Sequence, residues 1–159
     1  MHGLASNTLE AVGILDHLLP NIALCVFDFA GSGRSRGSIC TYGLKEHEDI
    51  VAVLDRLETE GFRQFVIWGR SMGAVACLLH GFNFGEERVV LQVADSPFST
   101  FESVCELYAK RFMGIPELLV GPALSLLKDS FASHQYNPFR LNLLPLAQKC
   151  RTPTLFLYN

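Results

Sequence analysis

The stretch 64–81, QFVIWGRSMGAVACLLHG, constrains the fold of this chain more than any other part of the sequence. It begins with FVIW, a short apolar run whose β-branched and aromatic residues are typical of a buried strand. The pattern G-x-S-x-G follows at 69–73, and the apolar segment at 74–79 predicts a helix. A strand, a tight glycine turn with a serine at its apex and a helix together predict a nucleophile elbow.

The residues of this turn have separate physical roles. A side chain in place of Gly69 or Gly73 would crowd the strand or the helix that the turn joins. The turn holds the hydroxyl of Ser71 out at the top of the sheet, where the helix N-terminus favours developing negative charge. The alternative is a glycine-flanked turn in which Ser71 only caps the helix.

The bulk properties favour one globular α/β domain. The 159 residues are 49% hydrophobic and 18% charged, which is enough for a core and argues against disorder. A net charge of −3 provides no electrostatic case for binding nucleic acid or an anionic membrane. Helical patterns alternate with apolar strand-like runs, which predicts a mainly parallel sheet flanked by helices.

The cysteine pattern indicates the compartment and the cofactors. Five cysteines are odd in number and contain no C-x-x-C pair, so we expect reduced thiols in the cytoplasm and neither disulfides nor a zinc site. The Gly-Ser loop at 31–37 has Arg36 where a dinucleotide-binding loop needs its third glycine, and no helix starts immediately after it. No group of His, Cys, Asp or Glu residues in the sequence has the spacing typical of metal ligands. We therefore expect neither a metal nor an organic cofactor.

The elements follow from local patterns. Asn7 is expected to cap a first helix, with Glu10 completing a capping box and Pro20 ending the helix. The predicted strands are 22–27, which we expect to be buried on both faces, 65–68, 88–94 and 153–158; the predicted helices are 44–60, 98–112 and 118–131. Residues 112–127 are the most apolar, but prolines interrupt them and they are too short for a membrane span of about 20 residues. A lid or cap over 112–140 is the better interpretation.

In this order, the segments HG, FDFAGSGRSRG, WGRSMG, ADSPFS and PTLFLY resemble the α/β-hydrolase superfamily across essentially the whole chain. More narrowly, they are similar to its serine-aminopeptidase-like and acyl-protein-thioesterase-like intracellular members. The resemblance implies a serine hydrolase that acts on an ester, thioester or peptide acyl group, in a small molecule or an acylated protein. Nothing in the sequence predicts the oligomeric state.

The resemblance also implies roles for individual residues. Ser71 matches the nucleophile, and the backbone N–H groups of Met72 and Leu4 match the two oxyanion-hole donors. Such a donor is worth about 3 kcal/mol of the reaction barrier. Asp28, with the glycine loop after it, matches a family segment that shapes the top of the sheet.

We interpret the other candidates as structural. His2 is expected to shape its loop, and Asp95-Ser96-Pro97 to cap the next helix rather than supply an acid. His17, His47 and His80 are expected at the surface or at helix ends. His134, in a polar loop, is a weak candidate for a base. Cys77, on the helix behind the serine, is expected to fill space.

The chain departs from the family pattern at both ends. In the superfamily the catalytic acid follows the strand matched by PTLFLY, and the histidine comes later still. We therefore expect both beyond Asn159, and expect this chain to be a partial domain that lacks the first and last strands of the fold. The alternative is a non-catalytic hydrolase-like fragment or binding module.

Expressed alone, the chain is predicted to give an insoluble or molten product. A strand missing from the middle of the sheet would leave backbone groups unpaired, each costing about 1–3 kcal/mol, against a total stability of about 5–15 kcal/mol. Near-ultraviolet circular dichroism and thermal melting test this. A sharp cooperative melt of the isolated chain would contradict it.

Overall fold

A computed structural model describes residues 1–13 and 22–158. These residues contain a parallel three-stranded sheet in the order β1-β2-β3, which confirms the predicted α/β fold with a parallel sheet. The strands are β1 (Phe65–Arg70), β2 (Val89–Asp95) and β3 (Thr154–Leu157). The helices are α1 (Glu46–Thr59), α2 (Met72–Asn83), α3 (Phe101–Arg111), α4 (Glu117–Phe131) and α5 (Leu144–Ala147), with 3₁₀ turns at Thr8–Ala11 and Pro138–Arg140.

The strands end together at one edge of the sheet. Arg70 lies opposite Asp95, and Asp95 lies opposite Leu157. The backbone pairing continues one residue beyond the first two strands, because Ser71 N–H donates to the carbonyl of Asp95 and Ser96 N–H donates to that of Leu157, each at 2.8 Å. Residues that follow these strands therefore share one face of the molecule.

Helix α2 is the centre of the core. Every residue from Met72 to Gly81 is buried, as expected for a helix that is apolar all round. One apolar cluster joins α2 to α1, through Ile50 and Leu54, and to β1. A second joins α2 to the segment before α5, through Leu141 and Leu143.

The predicted strand at 22–27 is wrong. These residues form no strand, and Ile22 and Val26 are 50% and 42% exposed. An extended segment needs a hydrogen-bonded neighbour, and Met1 alone pairs with β1 on that side among the described residues. The Met1 carbonyl accepts from Arg70 N–H at 3.1 Å.

The predicted helix after Asn7 is confirmed at its cap and at 12–13, the described residues that are α-helical. The Asn7 side chain accepts from Leu9 N–H at 2.9 Å, and a 3₁₀ turn follows. The predicted capping box is wrong, because the Glu10 carboxylate binds Gly3 and Arg70 instead. The remainder of that helix, with its predicted end at Pro20, and His17 lie outside the described residues.

Helices α3 and α4 pack on each other around a small cluster of their own, formed by Ala109, Val120 and Leu124. The side of α3 towards its C-terminus is open to solvent, since Tyr108 and Phe112 are 52% and 67% exposed. Phe101 of α3 and Phe131 of α4 also pack on Tyr42 and Phe139. Such packing is expected of a cap as well as of an ordinary helical pair, so the lid stays a prediction.

His47 and His80 lie at helix ends, as predicted, but both are buried instead of at the surface. His47 is 8% exposed and His80 is fully buried, and both pack on Phe84. Burial lowers the pKa of each, and for His80 the attraction of Glu86 opposes the shift while Arg88 and His47 add to it. The sequence pattern missed this because both residues lie on helix faces that only the α1–α2 packing covers.

We predict that the natural full-length protein loses stability as the pH falls below about 6.5. Burial lowers the pKa of both histidines in the folded state, whereas in the unfolded chain they gain protons near the ordinary value of 6.5. Stability is therefore fully present above that pH and decreases below it, by up to about 1.4 kcal/mol per pH unit for each histidine. Urea denaturation at pH 8.0 and pH 5.5 measures the difference.

The variant His80→Leu should show a smaller loss between the two pH values, because one of the two histidines no longer titrates. The exposed His134 provides the matched control, and His134→Gln should behave as wild type. Equal pH dependence in wild type and His80→Leu would contradict the assignment to His80.

Candidate functional site

Ser71 connects β1 to α2 in a backbone conformation that residues other than glycine rarely adopt. Its φ is 51° and its ψ is −113°. Such a conformation costs about 1–3 kcal/mol and persists only where the surroundings enforce it. Here the backbone bond to Asp95 on one side and the buried start of α2 on the other hold the residue in place.

The contacts of the two flanking glycines explain how so sharp a turn forms. A β-carbon added to Gly69 would overlap the carbonyl oxygen of Gly73. One added to Gly73 would lie 2.7 Å from the carbonyl oxygen of His2, closer than real β-carbons approach. The strand, the helix and the N-terminal loop therefore meet at distances that only glycine permits.

The hydroxyl of Ser71 makes no capping hydrogen bond, although the residue occupies the N-cap position of α2. By contrast, the Thr100 hydroxyl accepts from Ser103 N–H at the start of α3. The capping alternative for Ser71 is therefore wrong. Met72 N–H belongs to the first turn of the helix, where backbone donors have no acceptor within the helix.

The segment Met1–Gly3 lies directly against the turn. A β-carbon added to Gly3 would lie 3.5 Å from the β-carbon of Ser71. The chain then turns away at Ala5, whose φ is 55°, and leaves Leu4 48% exposed. The structure thus brings Gly3, Ser71 and Met72 together, with Leu4 next along the loop.

Both ring nitrogens of His2 make hydrogen bonds to the backbone, so this residue shapes its loop. Phe29 N–H donates to Nε2 at 3.1 Å, which requires the proton to be on Nδ1. Nδ1 in turn donates to the Gly3 carbonyl at 2.8 Å. The ring is 2% exposed and packs on the ring of Phe29.

Glu10 and Arg70 form an ion pair that the sequence pattern did not indicate. The Arg70 guanidinium donates to Oε1 of Glu10, and Gly3 N–H donates to Oε2 at 2.9 Å. Partial burial raises the pKa of Glu10, but the bonds from Arg70 and Gly3 hold it below its usual value. The bond to Glu10 likewise raises the pKa of Arg70.

Two aspartates lie nearby with structural contacts. The prediction that Asp95 caps the next helix is wrong, because Thr100 does so. The Asp95 carboxylate accepts from the Ser96 hydroxyl at 2.9 Å. Asp28 accepts from the N–H groups of Arg34 and Thr8; these bonds, chiefly that from Arg34, keep the pKa of Asp28 low and fasten two loops together.

The contacts of the four described histidines are with residues other than Ser71. His2 bonds to the backbone, His47 lies 3.1 Å from the Asn83 amide, His80 lies 3.6 Å from Glu86, and His134 packs on Phe131.

The cysteines are free thiols. Cys77 is fully buried behind the turn, and burial raises its pKa to about 12, as expected for a residue that fills space. Residues 1–13 and 22–158 hold no group of three potential metal ligands. In the same part of the chain, no helix has the length and apolar composition to cross a bilayer.

Comparison with known proteins places this arrangement in a family. The family model described as alpha/beta hydrolase fold matches residues 1–155. A curated relative, the uncharacterized protein YqkD of Bacillus subtilis (strain 168), is 26% identical over 165 residues. The match covers 99% of this chain and 52% of the relative, so the chain spans about half the length of that protein.

Solved structures show the same fold. An esterase from Pyrococcus furiosus is similar with a TM-score of 0.71 and 23% identity, over 98% of this chain and 58% of its own. A monoacylglycerol lipase from Paleococcus ferrophilus is similar with a TM-score of 0.62 and 14% identity, over 99% of this chain and 70% of its own.

We predict that Gly69→Ala destabilises the full-length protein by about 3 kcal/mol or more, because the added methyl overlaps the Gly73 carbonyl and separates β1 from α2. Gly121 within α4 is the matched control, since a β-carbon there meets nothing within 4 Å. Gly121→Ala should be close to neutral, because the higher helix propensity of alanine is opposed by Pro122, which disfavours the helical backbone at a preceding residue that carries a β-carbon. Urea midpoints measure both, and a wild-type midpoint for Gly69→Ala would contradict the close-contact argument.

Proposed function

Because this chain belongs to the alpha/beta hydrolase fold family, we propose that it carries the nucleophile of a serine hydrolase. The observation that supports this most is the φ of 51° at Ser71 in a glycine-flanked turn, with a hydroxyl that makes no capping bond. Enforced strain at a polar residue is a feature of reactive sites.

In the proposed reaction the Ser71 hydroxyl oxygen attacks the carbonyl carbon of an acyl substrate. The hydroxyl proton passes to a histidine base, and the carbonyl π electrons move to the oxygen to give a tetrahedral oxyanion. The oxyanion collapses, the bond to the leaving alcohol, thiol or amine breaks, and the histidine returns the proton to that group. Water then hydrolyses the Ser71 acyl ester by the same steps.

The proposed oxyanion donors are the backbone N–H groups of Met72 and Leu4. Met72 N–H is supported by its position at the buried start of α2, where the helix dipole adds to the local positive potential. Leu4 is supported by the closeness of the preceding residue, Gly3, to Ser71, since a β-carbon added to Gly3 would lie 3.5 Å from the β-carbon of Ser71. Donors fixed before reaction stabilise developing charge without reorganisation.

The base and its orienting acid are proposed to come from sequence beyond Asn159. The family order of nucleophile, acid and histidine supports this, and the described histidines contact other parts of the fold. A chain that spans about half of its curated relative is consistent with a longer protein.

The proposed substrates are carboxylic acyl compounds, in which esters and thioesters have the better leaving groups. The esterase and the lipase among the similar structures act on esters, as their names state. Peptide acyl groups and acylated proteins remain within the proposal, because the same acyl-enzyme chemistry serves them. The competing hypothesis is a non-catalytic module that binds such a compound.

We predict that a fluorophosphonate probe labels the full-length protein and that Ser71→Ala abolishes the labelling, because the probe phosphonylates an activated serine. Ser130, an exposed serine on α4, is the matched control, and Ser130→Ala should label as wild type. Peptide mass spectrometry locates the adduct. Unchanged labelling in Ser71→Ala would contradict the assignment of the nucleophile to Ser71, and no labelling of the wild-type protein would favour the non-catalytic module.

A further inference from the structure

Glu10 contacts two parts of the candidate site at once. One carboxylate oxygen, Oε2, accepts from Gly3 N–H at 2.9 Å, and the other, Oε1, accepts from the Arg70 guanidinium. Arg70 directly precedes Ser71, and Gly3 directly precedes Leu4. The carboxylate therefore connects the residue before the proposed nucleophile to the residue before the proposed oxyanion donor.

The direction of the Leu4 N–H depends on the Gly3 peptide. In a trans peptide the N–H of one residue points opposite to the carbonyl of the residue before it. The His2 ring holds the Gly3 carbonyl at 2.8 Å, and Glu10 holds the Gly3 N–H on the other side of the same residue. These two bonds together limit the rotation of Gly3 that would redirect the Leu4 N–H.

The position of the loop relative to Ser71 depends on the ion pair between Glu10 and Arg70. The Met1 carbonyl accepts from Arg70 N–H, so the start of the loop is attached to the backbone of β1. Beyond Gly3 the chain leaves the turn at Ala5. The ion pair of Glu10 with Arg70 is thus the side-chain link that ties the far side of the loop to the residue before Ser71.

We propose that Glu10 and Arg70 are positioning residues, which set the place of the Leu4 oxyanion donor relative to Ser71 through the bond from Gly3 N–H to Glu10. This inference rests on the proposed serine hydrolase function. In this proposal neither side chain acts on the reacting atoms directly. Their effect is exerted on the geometry of a backbone donor, and a misplacement of about 1 Å can lower a rate by about a hundredfold.

The geometry favours this role over a purely stabilising one. The side chains of Arg70 and Glu10 are 56% and 22% exposed, and ion pairs with exposed partners add little to stability. The Glu10 carboxylate instead binds the loop with one oxygen and Arg70 with the other, which fixes the distance between the loop and the residue before Ser71. Removing it should therefore change the rate far more than it changes the melting temperature.

The test measures the second-order rate constant of fluorophosphonate labelling, kcat and KM for an aryl ester, and Tm, all on the full-length protein. Glu10→Ala should lower kcat and the labelling rate by about 10- to 100-fold, with KM changed less than about threefold and Tm nearly unchanged. Arg70→Lys keeps the positive charge and should retain most of the rate. Glu10→Gln keeps an acceptor for Gly3 N–H and should be intermediate, which preserves the test if Glu10→Ala does not fold.

The charge exchange Glu10→Arg with Arg70→Glu separates positioning from stability. It can restore an ion pair, but an arginine at position 10 offers no acceptor to Gly3 N–H. The double variant should therefore stay as slow as Glu10→Ala, whereas recovery to the wild-type rate would overturn the proposal. Glu48, paired with Lys45 on the exposed side of α1, is the matched control, and Glu48→Ala should react as wild type.

Parallel measurement of Ser71→Ala keeps the two proposals distinguishable. If Ser71→Ala is unlabelled while Glu10→Ala labels at the wild-type rate, the positioning role is wrong and the serine hydrolase function stands. If Ser71→Ala labels normally, the proposed function fails and the positioning role fails with it.

Discussion

The close approach of Gly69 to Gly73 is the contact on which the rest of the structure depends. It brings the last residues of β1 within van der Waals distance of the first turn of α2, where a β-carbon on Gly69 would overlap the Gly73 carbonyl. Because β1 and α2 are joined by a single residue outside both elements, Ser71 must adopt its positive φ. The burial of α2 on all sides then makes this geometry costly to relax.

The N-terminal loop depends on the same contact. Gly73 leaves room for the carbonyl oxygens of Met1 and His2, so the first residues of the chain lie against the start of α2. His2 holds the loop with both ring nitrogens, and Glu10 holds it through Gly3 N–H. Polar groups that have hydrogen-bond partners of this kind hold a backbone segment in one arrangement.

The opposite end of α2 has a different electrostatic character. His80 is fully buried there, its ring nitrogens have no hydrogen-bond partner among the described residues, Nε2 lies 3.6 Å from Glu86, and His47 from α1 is buried beside it. Neutral imidazoles are tolerated in such a place because neutral groups lose less hydration free energy on burial than charged groups do. The helix thus has a glycine-rich end that accommodates a sharp turn and an aromatic, histidine-containing end that packs on α1 and Phe84.

Local patterns alone were sufficient to predict the strand, turn and helix around Ser71, the helix at 44–60 and a parallel sheet, because these depend on periodicity and glycine chemistry. Tertiary structure alone decided the exposure of Ile22 and Val26, the burial of His47 and His80, and the pairing of Glu10 with Arg70. The reason is physical: whether a segment becomes a strand, or a helix face becomes buried, depends on which neighbour covers it. The two members of an ion pair 60 positions apart share no local signal, so only the folded chain brings them together.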